Sequence, residues 1–171
     1  MDDRIDALLA DIEAADSAAR VHARRGEYGD EVAGQAAERT LLERLRGAVG
    51  STVRVTMSDR EVNGAVRFLG RDIVVVAGAE VSAVAISAVR GLRLTTKVHR
   101  FEVGGLERLG MGSALRRWSA AHEEVSIDVA DRSGGIRGRC ELVGADYVEI
   151  AGRIVPFAAI SAVHARTNPF E

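Results

Sequence analysis

Hydrophobic and polar positions along this chain follow two different periods, and the switch between them divides it. Over residues 3–22, Ile5, Leu8, Leu9 and Ile12 recur at helical spacing and share one face. Asp2 and Asp3 stand where a cap and the helix dipole favour carboxylates. Arg25-Gly26-Glu27-Tyr28-Gly29-Asp30 interrupts the pattern, and Asp30 can cap a second helix over 31–48, with Val32, Ala36, Leu42, Leu45 and Val49 on its apolar side. The two helices predict an antiparallel hairpin. Each apolar stripe is narrow, so the pair needs another surface to pack on.

From Gly50 the period is that of a strand. Val53, Val55 and Met57 alternate with polar residues, Ser58-Asp59-Arg60 turns, and Val62 to Leu69 forms a second strand with Gly64 inside it. Gly70-Arg71 turns into Ile73 to Ala77, and Gly78-Ala79 into Val81 to Ala85. Ile86-Ser87-Ala88 fits a single tight helical turn before a fifth strand, Val89 to Thr95. Five short strands with frequent turns predict a small closed barrel.

The same order then recurs. Val125 to Val129, a turn at Asp131 to Gly135, Ile136 to Val143 with Gly138 inside it, Tyr147 to Ala151, Arg153 to Ala158 and Ile160 to Val163 repeat the first unit, with the first hairpin altered by two residues. Leu69-Gly70-Arg71-Asp72 is answered by Val143-Gly144-Ala145-Asp146, and Ile86-Ser-Ala-Val89 by Ile160-Ser-Ala-Val163. Such self-similarity fixes architecture more firmly than local propensity. Leu106 to His122 reads as a helix joining the units. The predicted organisation is a helical hairpin over 1–49, a first barrel over 50–96, a basic linker and helix over 97–122, a second barrel over 123–166 and a tail over 167–171.

Composition narrows the chemistry. Aromatic residues are 4% of the chain, so the cores must be built from Val, Ile, Leu and Ala. Lys97 is the lone lysine among many arginines, and with abundant alanine this points to a high-GC bacterial genome. Cys140 is the one cysteine, which excludes an internal disulfide and a cysteine zinc site; in a predicted strand it reads as a buried, inert thiol. The start of the chain lacks the apolar core of a secretory signal, and no stretch approaches the roughly 18 apolar residues of a membrane span. A cytoplasmic location is the expectation.

The order of strands, the mid-strand glycines and the paired signatures resemble the Sm-like small barrel, including its bacterial Hfq branch. Gly64 with Asp72, and Gly138 with Asp146, match the first motif of that family; Ile86-Ser-Ala-Val-Arg90-Gly91 matches the second, and Ile160-Ser-Ala-Val-His164-Ala165 matches it more loosely. The resemblance covers residues 51–95 and 123–165. It implies an α+β protein of two small five-stranded Sm-like β-barrels in tandem, preceded by the N-terminal helical hairpin and joined by a helix. It also implies association with nucleic acid, RNA ahead of DNA. Where the Hfq branch places Lys-His before Ile-Ser to grip uridine, this chain has Val84-Ala85 and Ala158-Ala159, and Tyr147 is the one aromatic candidate for base stacking, so the family's own uridine grip is not expected.

The remaining residues carry no catalytic or metal signature. His22, His99, His122 and His164 lack ligand spacing and read as surface or cap residues. Ser87 and Ser161 read as backbone-bonding turn residues, and Asp72 and Asp146 as turn formers. No nucleophile elbow or phosphate loop is present. The expectation is a protein that is not an enzyme, with no cofactor and no metal. Its formal charge is −2, yet residues 90–118 carry Arg90, Arg93, Lys97, Arg100, Arg108, Arg116 and Arg117 against Glu102 and Glu107. Arg90, Arg93, Lys97, Arg100, Arg116 and Arg117 are therefore the candidate phosphate-neutralising residues of a nucleic-acid-associated adaptor or regulator. The rival expectation is a protein–protein scaffold that uses residues 1–48 for a partner or for self-association, with no membrane partner in either case.

Overall fold

A computed structural model describes residue 37 and residues 39–100, 102–130 and 134–171. Leu41–Glu171 forms one unit. Its elements are helix α1 (Leu41–Arg46), strands β1 (Thr52–Thr56), β2 (Glu61–Leu69), β3 (Ile73–Ala77), β4 (Val81–Ala85) and β5 (Gly91–Leu94), helix α2 (Met111–Ala120), and strands β6 (Glu124–Val129), β7 (Ile136–Val143), β8 (Tyr147–Ile150), β9 (Arg153–Pro156) and β10 (Ile160–Ala165). Single 3₁₀ turns occur at Ile86–Ala88, Gly105–Arg108 and Phe157–Ala159.

The expected pair of closed barrels is not what forms. All ten strands belong to one antiparallel sheet in the order β5-β1-β2-β3-β4-β10-β6-β7-β8-β9. Closing each unit would require β4 to meet β5 and β9 to meet β10. Instead β4 pairs with β10, Ala162 facing Val84 and His164 facing Ser82, while among the described residues β5 pairs only with β1 and β9 only with β8. The physical reason lies in β4. All five of its residues are buried, so it is an interior strand that needs a neighbour on both edges.

The expected helical hairpin is corrected as well. In the described part of 31–48, residue 37 is helical, residues 39 and 40 are not, and helix is found again over Leu41–Arg46; the helix assigned to 3–22 lies outside the described residues. The linking helix is shorter than expected, with a 3₁₀ turn at Gly105–Arg108 before α2.

Two cores lie on opposite faces of β3. Val74 and Val76 join Val53, Val55, Val66 and Leu45 of α1 in one; Ile73 and Val75 join Leu115 and Trp118 of α2 with Ile127 and Ile150 in the other. The uninterrupted apolar run Ile73-Val-Val-Val-Ala77 is the sequence of a strand buried on both faces.

The two halves share an element order, a helix before each set of five strands. Gly64 faces Val53 as Gly138 faces Val125, and both second strands carry an irregularity at the corresponding place, between Val66 and Phe68 and between Cys140 and Leu142. The strongest sequence identity, however, is out of structural register. The Ile86 amide donates to the Asp72 carbonyl, and it is the Phe157 amide, not that of Ile160, that donates to the Asp146 carbonyl. Ile86-Ser-Ala88 is a 3₁₀ turn whereas Ile160-Ser-Ala162 begins β10. The difference arises in the tight turn at Ala151-Gly152, where both residues have positive φ (51° and 66°), a two-residue hairpin shorter than its counterpart after β3.

Candidate nucleic-acid interface

The six candidate cations fall into two groups. Arg90 and Arg93 flank and occupy β5, the last strand at one end of the sheet. Alternation on β5 turns Leu92 and Leu94 toward the core under α1 and leaves Arg93 exposed. Lys97 and Arg100 follow on the segment that wraps α1. That segment is fixed by its backbone: Arg44 donates to the carbonyls of Thr96 and Val98, and Arg46 to that of Arg100 at 3.0 Å. Arg46 also forms a double contact with Glu107, and this guanidinium holds the Glu107 carboxyl below the usual carboxylate range. Among the described residues, no carboxylate lies within ion-pair distance of Arg90, Arg93, Lys97 or Arg100, and all four are exposed.

Arg116 and Arg117 lie elsewhere, on α2, and they hold the second half together. Arg116 donates to the Gly144 carbonyl and Arg117 to the Pro169 carbonyl, each at 3.0 Å. Arg117 also lies 5.2 Å from the ring of Phe170, which stacks on Phe68.

Arg54 lies beside the first group, pairs with Glu61 at 3.9 Å, and is not among the residues the sequence points to. It faces Arg93 directly across the β1–β5 pair and is held by the Asn63 side-chain oxygen at 2.9 Å. The outward positions of β1 carry the signal, but only the strand pairing reveals it.

A cleft of about 380 Å³ opens where the two repeats meet, lined by Ser58, Asp59, Ser87, Arg90, Ile160 and Ser161 among others. Arg90 therefore links the first group of cations to this cleft. Ser161 is not a turn residue as expected: on β10, it donates to the Asp128 carbonyl at 3.0 Å.

His164 is likewise not at the surface. It is 3% exposed on β10, with Nδ1 2.9 Å from Ser82 Oγ and Nε2 2.8 Å from Asp128 Oδ2. Arg60 approaches both, its Nη1 3.1 Å from Asp128 Oδ2. Burial pushes the Asp128 carboxyl up, but its hydrogen bond with His164 and the charges of His164 and Arg60 outweigh that, leaving it below the usual range. The constellation has the residue types of a catalytic triad without its geometry. Ser82 is 2% exposed and meets the ring at the nitrogen that a triad reserves for its carboxylate.

Cys140 is buried and free, and burial pushes its thiol up to about 11, which makes it the inert residue the sequence suggests. Among the described residues there is no group of three or more His, Cys, Asp or Glu placed to hold a metal ion, and no helix long and apolar enough to cross a membrane. No protein-family model matches the chain, and no curated protein matches it.

Proposed function

We propose that this chain is a nucleic-acid-associated adaptor or regulator that acts by binding, with RNA ahead of DNA. The observation that carries the reading is the set Arg90, Arg93, Lys97 and Arg100, exposed at β5 and on the segment that follows it and without a carboxylate partner among the described residues. Unpaired arginines on a fixed backbone suit phosphate oxygens, because a guanidinium offers a planar fork of donors. Arg54 faces Arg93 from β1 but is not counted with them, because Asn63 holds it and the Glu61 carboxylate lies 3.9 Å away. Arg116 and Arg117 are left out, since their guanidinium groups hold backbone carbonyls and the Phe170 ring. The Sm-like resemblance of the Gly64–Asp72 and Ile86–Gly91 segments supports the choice of nucleic acid over other polyanions. Labelled single- and double-stranded RNA and DNA pools, titrated with the protein at two salt concentrations, test it. Binding that weakens steeply with salt supports the reading.

A second reading has one observation in its favour. Val98, Val103 and Leu106, 51%, 68% and 62% exposed, lie on the same segment as the cations and suit a protein partner. Absence of binding to any of the nucleic-acid pools at low salt selects this scaffold reading.

A further inference from the structure

The contacts around His164 cannot all be satisfied in one protonation state. On one side of the ring, Nδ1 lies 2.9 Å from Ser82 Oγ, which can donate or accept, and 3.3 Å from Glu80 Oε1, an acceptor only, so the Glu80 carboxylate favours a proton on Nδ1. On the other side, Nε2 lies 2.7 Å from Arg60 Nη1 and 2.8 Å from Asp128 Oδ2. Arg60 is a donor only, so its contact needs a lone pair on Nε2; Asp128 is an ionised acceptor, so its contact needs a proton there. Nδ1 can carry its proton in both states. With Glu80 keeping the proton on Nδ1, the variable is the proton on Nε2.

We infer that Nε2 of His164 is a proton-controlled socket for Arg60, seating the β1–β2 turn of the first repeat against the second repeat when the imidazole is neutral and releasing it when the ring is protonated. The proton comes from solvent to the Nε2 lone pair, and nothing else is exchanged. In the neutral state Arg60 bridges Nε2 and Asp128. In the protonated state Nε2–H donates to Asp128, and two adjacent cations displace the more mobile of them. Arg60 is that one, with its side chain 44% exposed, whereas the His164 side chain is at 2%.

The groups facing His164 come from every neighbouring element: Arg60 from the β1–β2 turn, Glu80 and Ser82 from the start of β4, and Asp128 from β6. Glu124, Arg137 and Arg166 line the cleft on one side of the ring and Glu61 that on the other. Glu124 and Arg137 pair with each other, so they add little net field. The turn that Arg60 anchors also supplies Met57, Ser58 and Asp59 to the wall of the cleft of about 380 Å³ between the repeats, so its release alters that wall. This device stands independently of the nucleic-acid reading.

The test uses the full chain, labelled with ¹⁵N, across the range in which histidines ordinarily titrate, about pH 8 to 5. Imidazole nitrogen shifts report protonation of Nε2, and amide protection factors report the turn and the strands separately. The expected result is that protonation of Nε2 coincides with a loss of roughly tenfold or more in protection at the Met57 amide, which donates to the Arg60 carbonyl across the turn, with β6 and β10 unchanged. In Arg60→Met the turn should show that reduced protection at every pH, and its residual protection should not follow the ring. Three outcomes overturn the inference: the turn keeps its protection while Nε2 is protonated, Nε2 stays unprotonated with the turn seated throughout, or β6 and β10 lose protection together with the turn.

Discussion

Ser82 and His164 stand directly opposite one another across the β4–β10 pair, with Oγ and Nδ1 2.9 Å apart. That junction is where one repeat ends and the other begins. The repeat correspondence shows what occupies the same two places at the outer ends of the sheet. Arg153 on β9 matches Ser82, because Ile150 faces Arg153 as Val76 faces Ser82. Arg93 on β5 matches His164, because Arg54 faces Arg93 as Ser126 faces His164.

A second copy added end to end in the same manner would set Arg93 against Arg153. Arg93 already faces Arg54 across the β1–β5 pair, so Arg153 would bring a third guanidinium to the same place, which is unfavourable, and Pro156 ends β9 with a residue that cannot donate to a ladder. The double variant Arg93→His, Arg153→Ser copies the internal junction onto both ends. Sedimentation over a concentration series should show it self-associating severalfold more strongly than the parent chain. Equal association of the two proteins would show that these arginines do not guard the edges.

Gly64 and Gly138 correspond in sequence and register but differ in the space around them. A Cβ at Gly64 would stand 2.2 Å from the Ala77 carbonyl oxygen, whereas one at Gly138 would stand 3.4 Å from the nearest Ile150 carbon. Gly64→Ala should therefore cost about 1–3 kcal/mol, and Gly138→Ala less than about 1 kcal/mol. Denaturant midpoints measure both, and equal losses would remove the close approach as the cause.

The strands are legible in the sequence because alternation marks β1 and continuous apolar residues mark β3. Their assembly is not, because pairing is a long-range choice. The sequence Val81-Ser-Ala-Val-Ala85 reads as the fourth strand of a closed barrel, and only its complete burial with β10 alongside shows it to be an interior strand of a larger sheet. The shared Ile-Ser-Ala-Val misleads in register, since the shorter hairpin at Ala151-Gly152 shifts everything after it. Of the candidate site, the exposed arginines of β5 and the following segment are legible as a charge cluster. Arg54, Arg60 and the His164 network are not, because each depends on contacts between residues far apart in the chain.

Acid should destabilise the fold through three particular carboxyls. Those of Asp128, Glu107 and Glu123 all lie below their usual values: burial raises Asp128 and Glu123, but hydrogen bonds from His164, and from Thr167 and the Arg166 amide, outweigh it. The folded state then binds fewer protons than the unfolded chain. Its added stability is complete above the ordinary carboxylate values of about 4 and is lost as pH falls through the lowered folded values. Denaturant midpoints between neutral pH and the acid range should fall accordingly. Asp128→Asn should lose about 1–3 kcal/mol at neutral pH and show a shallower decline with acid; an unchanged decline would remove Asp128 from the account.

Cys140 should resist thiol reagents at neutral pH in the folded protein, since burial pushes its thiol up to about 11 and keeps reagents away. Its modification should follow global unfolding in a denaturant series. Rapid labelling under native conditions would contradict the packing of β7 against α2.

The most direct measurement is the salt dependence of single-stranded RNA binding for the parent chain, for the variant with Arg90, Arg93, Lys97 and Arg100 all changed to Gln, and for the Arg116→Gln, Arg117→Gln variant, each confirmed as folded. The account predicts that the fourfold variant binds weakly, with a log–log salt slope shallower by roughly 2 to 3, about 0.7 for each phosphate that is no longer neutralised, while the pair on α2 leaves the slope in place. A fourfold variant with the parent's affinity and slope, or loss of binding through Arg116 and Arg117 instead, would contradict it.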